Sequence, residues 1–125
     1  MRFRKILWPV LACLTAAPIP FAHALPRHVD VVLHPGKIHE DCFSLQSRQQ
    51  VQYNFKMDRP GNFNLHYHKG KEAIYPIRSE SVSEQKGDHA AVVAQEYCLM
   101  WSGDKGGDTK LGYEFIVVEP GLTKP

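Results

Sequence analysis

His66 and His68 are the residues of this chain whose type and spacing could most readily do chemistry. Alternate side chains on a strand share a face, so His66-Tyr67-His68 sets two imidazoles about 6–7 Å apart at Cα on one side. That spacing suits chelation of Zn²⁺ or Cu²⁺, and zinc or copper is the cofactor such a pair would take. A third ligand would come from His39, Glu40 or Met100. The competing reading is two polar residues on a wet sheet face, where alternation calls for polar side chains in any case. Histidine is in excess beyond this pair, with His28, His34, His39 and His89 also falling after residue 24.

Other constellations are weaker. The chain has no Gly-x-Ser-x-Gly and no helix-borne His-Glu pair. Glu40-Asp41 and Asp88-His89 are sequence neighbours, which point to opposite faces of a strand and make poor acid–base pairs. Both read as solvated residues of loops or strand ends. Asp104 and Asp108 sit in a glycine-rich loop without EF-hand spacing and read as a mobile hairpin. These observations predict no catalytic residues and point away from an enzyme.

The elements that must position the histidines centre on residues 51–68. Val51, Tyr53, Phe55 and Met57 alternate with polar residues, and so do Phe63, Leu65 and Tyr67. Each run has one apolar and one wet face, with His66 and His68 on the wet one. Arg59-Pro60-Gly61-Asn62 between them fits a type II turn, Pro presetting φ and Gly supplying the positive φ. The two strands then form either a hairpin or an arch between facing sheets. Around them, strands are predicted at 29–34, 42–45, 72–78, 89–95, 97–101 and 111–119. Pro76 marks an edge or bulge in its strand. Polar loops are predicted at 79–88 and 103–108. Phe55, Phe63, Leu65, Leu99, Trp101 and Phe115 are expected to point into the core. Short strands about ten residues apart predict an all-β fold, an antiparallel β-sandwich of seven or eight strands.

The first 24 residues read as a cleaved signal peptide. Arg2, Arg4 and Lys5 precede an apolar run broken by Pro9, Pro18 and Pro20, and Ala22-His23-Ala24 offers a cleavage site. A rival reading is a lipoprotein box at Val10-Leu11-Ala12-Cys13, with lipid on Cys13. No second apolar run reaches membrane length, so residues 25–125 are expected to form one domain in the periplasm or outside the cell, without a membrane span. Three of the 15 basic residues leave with the signal, which leaves 12 against 13 acidic ones, a net charge of −1. Clustered Lys and Arg are missing, which excludes a nucleic-acid partner. Cys42 and Cys98 remain as an even pair in a chain bound for an oxidising compartment, and a disulfide is expected. Closing the long loop between them would contribute on the order of 4 kcal/mol.

Asp41-Cys42-Phe43, the strand at 51–55, Phe63-Asn64-Leu65-His66 and Tyr97-Cys98-Leu99-Met100-Trp101-Ser102 before a last aromatic strand resemble the Golgi-dynamics (GOLD) domain. The likeness covers roughly residues 29–119. It departs from the cargo-receptor pattern where Tyr97 and Cys98 are adjacent and Gln95-Glu96 stands in place of a glycine. The resemblance implies a GOLD- or jelly-roll-like β-sandwich, free-standing, exported and bacterial. It also implies a non-enzymatic module that binds an unnamed protein or small ligand. The alternative is a small periplasmic protein that binds copper or zinc through the His66/His68 face.

Overall fold

The computed structural model describes residues 16–17 and 25–121. The signal-peptide reading of residues 1–24 and the alternative at Cys13 lie outside the described residues, 16–17 apart. Six antiparallel strands follow in order: β1 (Arg27–Leu33), β2 (Ile38–Leu45), β3 (Gln50–Lys69), β4 (Glu72–Ala90), β5 (Gln95–Ser102) and β6 (Thr109–Val118). All belong to one sheet, in the order β1-β6-β3-β5-β2, with β4 along the other edge of β3. The all-β, antiparallel class is as the sequence predicts. Among the described residues the strands are fewer than seven or eight, because two of them run for 20 and 19 residues.

β3 is the spine. Residues 50–57 pair with β6, and residues 62–67 pair with β5. The chain does not turn back at Arg59–Asn62, so the type II turn is corrected to a bend in a continuous strand. Gly61 is not among the positive-φ glycines. It is required for a different reason, because a Cβ there would run into the Ser102 carbonyl oxygen of β5. Alternation explains why a hairpin fails. A two-residue loop at Pro60-Gly61 would pair Met57 with Asn64 and Phe55 with His66, mixing apolar and polar residues on each face. Kept as one strand, odd positions point inward throughout, from Val51 at 0% exposure through Phe63 at 2% to Leu65 at 0%.

At the bend the pairing of β3 with β4 shifts register between Lys56, Gly61 and Phe63. Side chains take up backbone donors there: Lys110 N donates to Asp58 Oδ1 (2.7 Å) and Ser81 N to Asn62 Oδ1 (3.1 Å). Ser81 itself holds φ 52°. The bend folds the sheet into two wings that close on each other. Trp101 of β5 meets Tyr113 of β6 at 4.3 Å between ring centroids, and Phe43 of β2 meets Phe115 of β6 at 4.9 Å. These strands are not neighbours in the sheet, so the contacts are made across the core. The six side chains expected to point inward are all buried.

The polar stretch at 79–88 is not a loop but the second half of β4. It lies at an edge and carries Gln85, Gly87 and His89 opposite Phe55, Tyr53 and Val51. Gly87 makes room for the Tyr53 ring, whose hydroxyl accepts a hydrogen bond from Gln85 Nε2 (2.9 Å). The strand expected at 89–95 is displaced too, since Ala91–Ala94 connect β4 to β5. Pro76 falls on the β4 edge, where its missing N–H costs no ladder bond. Gly70, at φ 63°, turns β3 into β4.

Candidate functional site

Two rows of residues cross the outer face of the wing built from β2, β5 and the second half of β3. Register aligns Glu40, Met100 and Asn64 in one row, and Cys42, Cys98 and His66 in the next. Cys42 and Cys98 are disulfide-bonded, with Cα atoms 4.0 Å apart. They stand directly opposite each other on adjacent strands, so the bond forms without a loop having to rearrange.

Glu40 reaches diagonally across β5 to His66, with Oε1 3.0 Å from Nε2. The other ring nitrogen, Nδ1, lies 2.8 Å from Asn64 Oδ1. His66 is therefore gripped at both nitrogens, and the rings of His68 (5.2 Å) and Tyr75 (5.6 Å) stand beside it. Arg78 lies 3.9 Å over the Tyr75 ring, a cation–π contact on the same side. This packing leaves His66 only 4% exposed, so it is not the open imidazole expected from alternation.

Of the expected third ligands, Glu40 meets His66 directly, and Met100 shares its face by register. His39 does not. It lies on the opposite face of β2, with Nε2 2.9 Å from the Tyr113 hydroxyl, because an odd offset along a strand reverses direction. Among the described residues, the set of three whose ligand atoms lie within 4.8 Å of one another is Glu40, Cys42 and Cys98.

A second polar cluster lies inside. The Tyr113 hydroxyl accepts from His39 and donates to Asp41 Oδ2 (2.6 Å), which Arg27 Nε approaches at 3.5 Å. Burial, the hydrogen bond to Asp41 and the Asp41 charge all push the Tyr113 phenol well above its ordinary pKa. Asp41 is 8% exposed, so Glu40-Asp41 is not a solvated turn. It is a strand dipeptide whose members serve opposite faces. His89 stands at the rim, beside the Tyr97 ring at 5.7 Å, and desolvation lowers its pKa against the opposing pull of Asp88. The loop aspartates also have partners, Asp104 with Arg59 (3.1 Å) and Asp108 with His34 (2.9 Å). Sequence reasoning missed Tyr75 and Asn64 as supports of His66. The i, i+2 spacing of Asn64 and His66 was the available signal.

The fold is thus that of an all-β protein in which one antiparallel sheet curls around an aromatic core. No family model matches the chain, and no curated protein does. Among solved structures it is similar to the crystal structure of Aeromonas hydrophila PliG, a periplasmic lysozyme inhibitor of g-type lysozyme. The TM-score is 0.58 at 12% identity, covering 80% of this chain and 93% of that one. At that identity the likeness is one of fold. Among the described residues, no helix is long and apolar enough to cross a membrane.

Proposed function

We propose that this chain is an exported, non-enzymatic binding protein that acts by docking onto another protein, as an inhibitor does. The observation that carries this reading is the fold likeness to PliG, which spans nearly all of that inhibitor. A sheet tied by a cross-strand disulfide and closed over an aromatic core suits such a role. It presents a rigid surface, so little ordering is left to be done on binding. The polar clusters fit the same reading, since their hydrogen bonds are spent on one another. The Golgi-dynamics resemblance also implies a binding module, and the disulfide fits a chain exported to the periplasm.

Lysozyme is the partner class to test first. The oxidised protein, purified from the periplasm, is titrated by calorimetry into a g-type lysozyme, and clearing of a cell-wall suspension is followed in parallel. The expected result is one-to-one binding with Kd on the order of micromolar or tighter, with loss of most of the lytic rate. No heat and unchanged lysis at large excess would remove lysozyme as the partner. Hydrolysis of cell wall by the chain alone would overturn the non-enzymatic reading.

A further inference from the structure

The disulfide and the Glu40–His66 bridge occupy one patch, and together they make more than either does alone. The Glu40 carboxylate and the Cys42 and Cys98 sulfurs lie within 4.8 Å of one another. His66, opposite Cys98 in register, holds its Nε2 3.0 Å from the same carboxylate. We propose that reducing Cys42–Cys98 opens a site for a thiophilic divalent cation of the Zn²⁺ class, with two cysteine thiolates, Glu40 and His66 as ligands. This does not rest on the inhibitor reading.

The chemistry of the donors sets the cation. Two thiolates, one imidazole and one carboxylate suit a tetrahedral d¹⁰ ion with Zn–S near about 2.3 Å and Zn–N near about 2.0 Å. The sulfurs must part by side-chain rotation to about 3.7 Å, the edge of such a tetrahedron, and the His66 ring, which lies outside the set within 4.8 Å, must turn from Glu40 toward them. β2 and β5 stay paired over all eight residues of each, Ile38–Leu45 against Gln95–Ser102, and so hold the ligands on one face. While the disulfide is intact neither sulfur is a thiolate, and Glu40 and His66 bind each other. The oxidised form is therefore the closed form.

The gate is a thiol–disulfide exchange with an external dithiol. Cys42 is exposed and Cys98 is 3% exposed, so a reductant thiolate attacks Cys42 Sγ. The Cys42–Cys98 bond breaks, a mixed disulfide forms at Cys42, and Cys98 Sγ leaves with the electron pair. The second thiol of the reductant then closes its own disulfide and releases Cys42. Two electrons and two protons pass from dithiol to protein, and both protons are released when the thiolates take the cation.

Co²⁺ is the probe, because sulfur ligation gives a charge-transfer band in the near ultraviolet and tetrahedral geometry gives visible d–d bands. The protein is reduced with dithiothreitol, desalted without oxygen and titrated, with circular dichroism recorded throughout. Reduced protein is expected to take one equivalent with both bands, displaced by Zn²⁺, while oxidised protein takes none. Glu40→Gln and His66→Gln retain the disulfide and should each weaken binding at least about tenfold while keeping the sulfur band. Cys42→Ser should weaken binding at least as much and halve the intensity of that band. The proposal is overturned if oxidised protein binds equally well, or if reduced protein shows no sulfur band, whether or not it keeps its sheet. Unchanged affinity in both Glu40→Gln and His66→Gln would overturn it as well, since the thiols would then act without this site.

Discussion

Glu40 and Asp41 stand side by side in β2, yet Glu40 reaches over the outer face while Asp41 is sealed between the wings. Each belongs to a cluster of similar parts. Outside, a carboxylate meets an imidazole that an asparagine steadies. Inside, a carboxylate and an imidazole meet through a phenol. The inner cluster has aromatic rings around it, with Trp101 and Tyr113 in contact at 4.3 Å, so its hydrogen bonds are made in a low-dielectric setting. The outer one has a carboxylate 37% exposed and a disulfide whose Cys42 end is open to solvent. The same chemical groups are thus sealed into the core on one side of a strand and lie beside a solvent-exposed carboxylate and sulfur on the other. Burial separates the two, because an unmet polar group costs far more inside than at a surface that water can reach.

The sharpest way to break this comparison is to remove each carboxylate in turn. Asp41→Ala leaves the Tyr113 hydroxyl without its acceptor in the core and should cost about 2–3 kcal/mol of stability. Glu40→Ala removes a carboxylate 37% exposed but leaves Nε2 of the buried His66 without it, and should cost less, about 1–2 kcal/mol. Denaturant titration of the oxidised protein measures both, and equal losses would show that the two clusters do not differ in kind.

A smaller effect separates them by pH. The Tyr113 phenol has a raised pKa in the folded chain, while the unfolded chain titrates near about 10. The unfolded state then loses its proton first, so stability present below that value declines as pH rises above it. Tyr113→Phe should lessen this alkaline decline, with the remainder from Tyr53 and Tyr97, whose phenols burial also raises, although its stability at neutral pH is lower. Melts across the alkaline range of both proteins give the answer, and parallel declines would mean that the inner phenol is not shielded.

The smallest effect belongs to the rim. His89 has a lowered pKa from burial, so the unfolded state binds the proton more readily. Stability present above about 6.5 should therefore fall as pH drops through the window just below that value. His89→Gln should flatten this slope. A slope unchanged by the substitution would assign the acid sensitivity to another group.

The elements were legible wherever one face is apolar. Val51 to Met57 and Phe63 to Tyr67 name their inward residues by alternation alone, and the structure buries all of them but Tyr67, which is half-buried. The same alternation held the argument against a hairpin, since odd residues stay apolar on both sides of Pro60-Gly61. Local turn chemistry suggested otherwise because Pro-Gly is a strong turn signal when read without its flanks. The second half of β4 was not legible, since its inward positions are Gln85, Gly87 and His89. A strand at a sheet edge needs no apolar face of its own when a neighbour's ring, here that of Tyr53, lies across it.

By itself, then, the sequence determined the all-β class, the inward faces, the Cys42–Cys98 pairing and the common face of His66 and His68. Period-two alternation and an even cysteine count are local properties, so they can be read from a line of residues. Tertiary structure alone decided that β3 serves both wings, that His39 turns inward to Tyr113, and that Glu40 crosses β5 to reach His66 above the disulfide. Those contacts depend on which strands become neighbours and in what register. That choice is made when the bend at Lys56–Phe63 closes one aromatic core, and only the packing of the whole chain can make it.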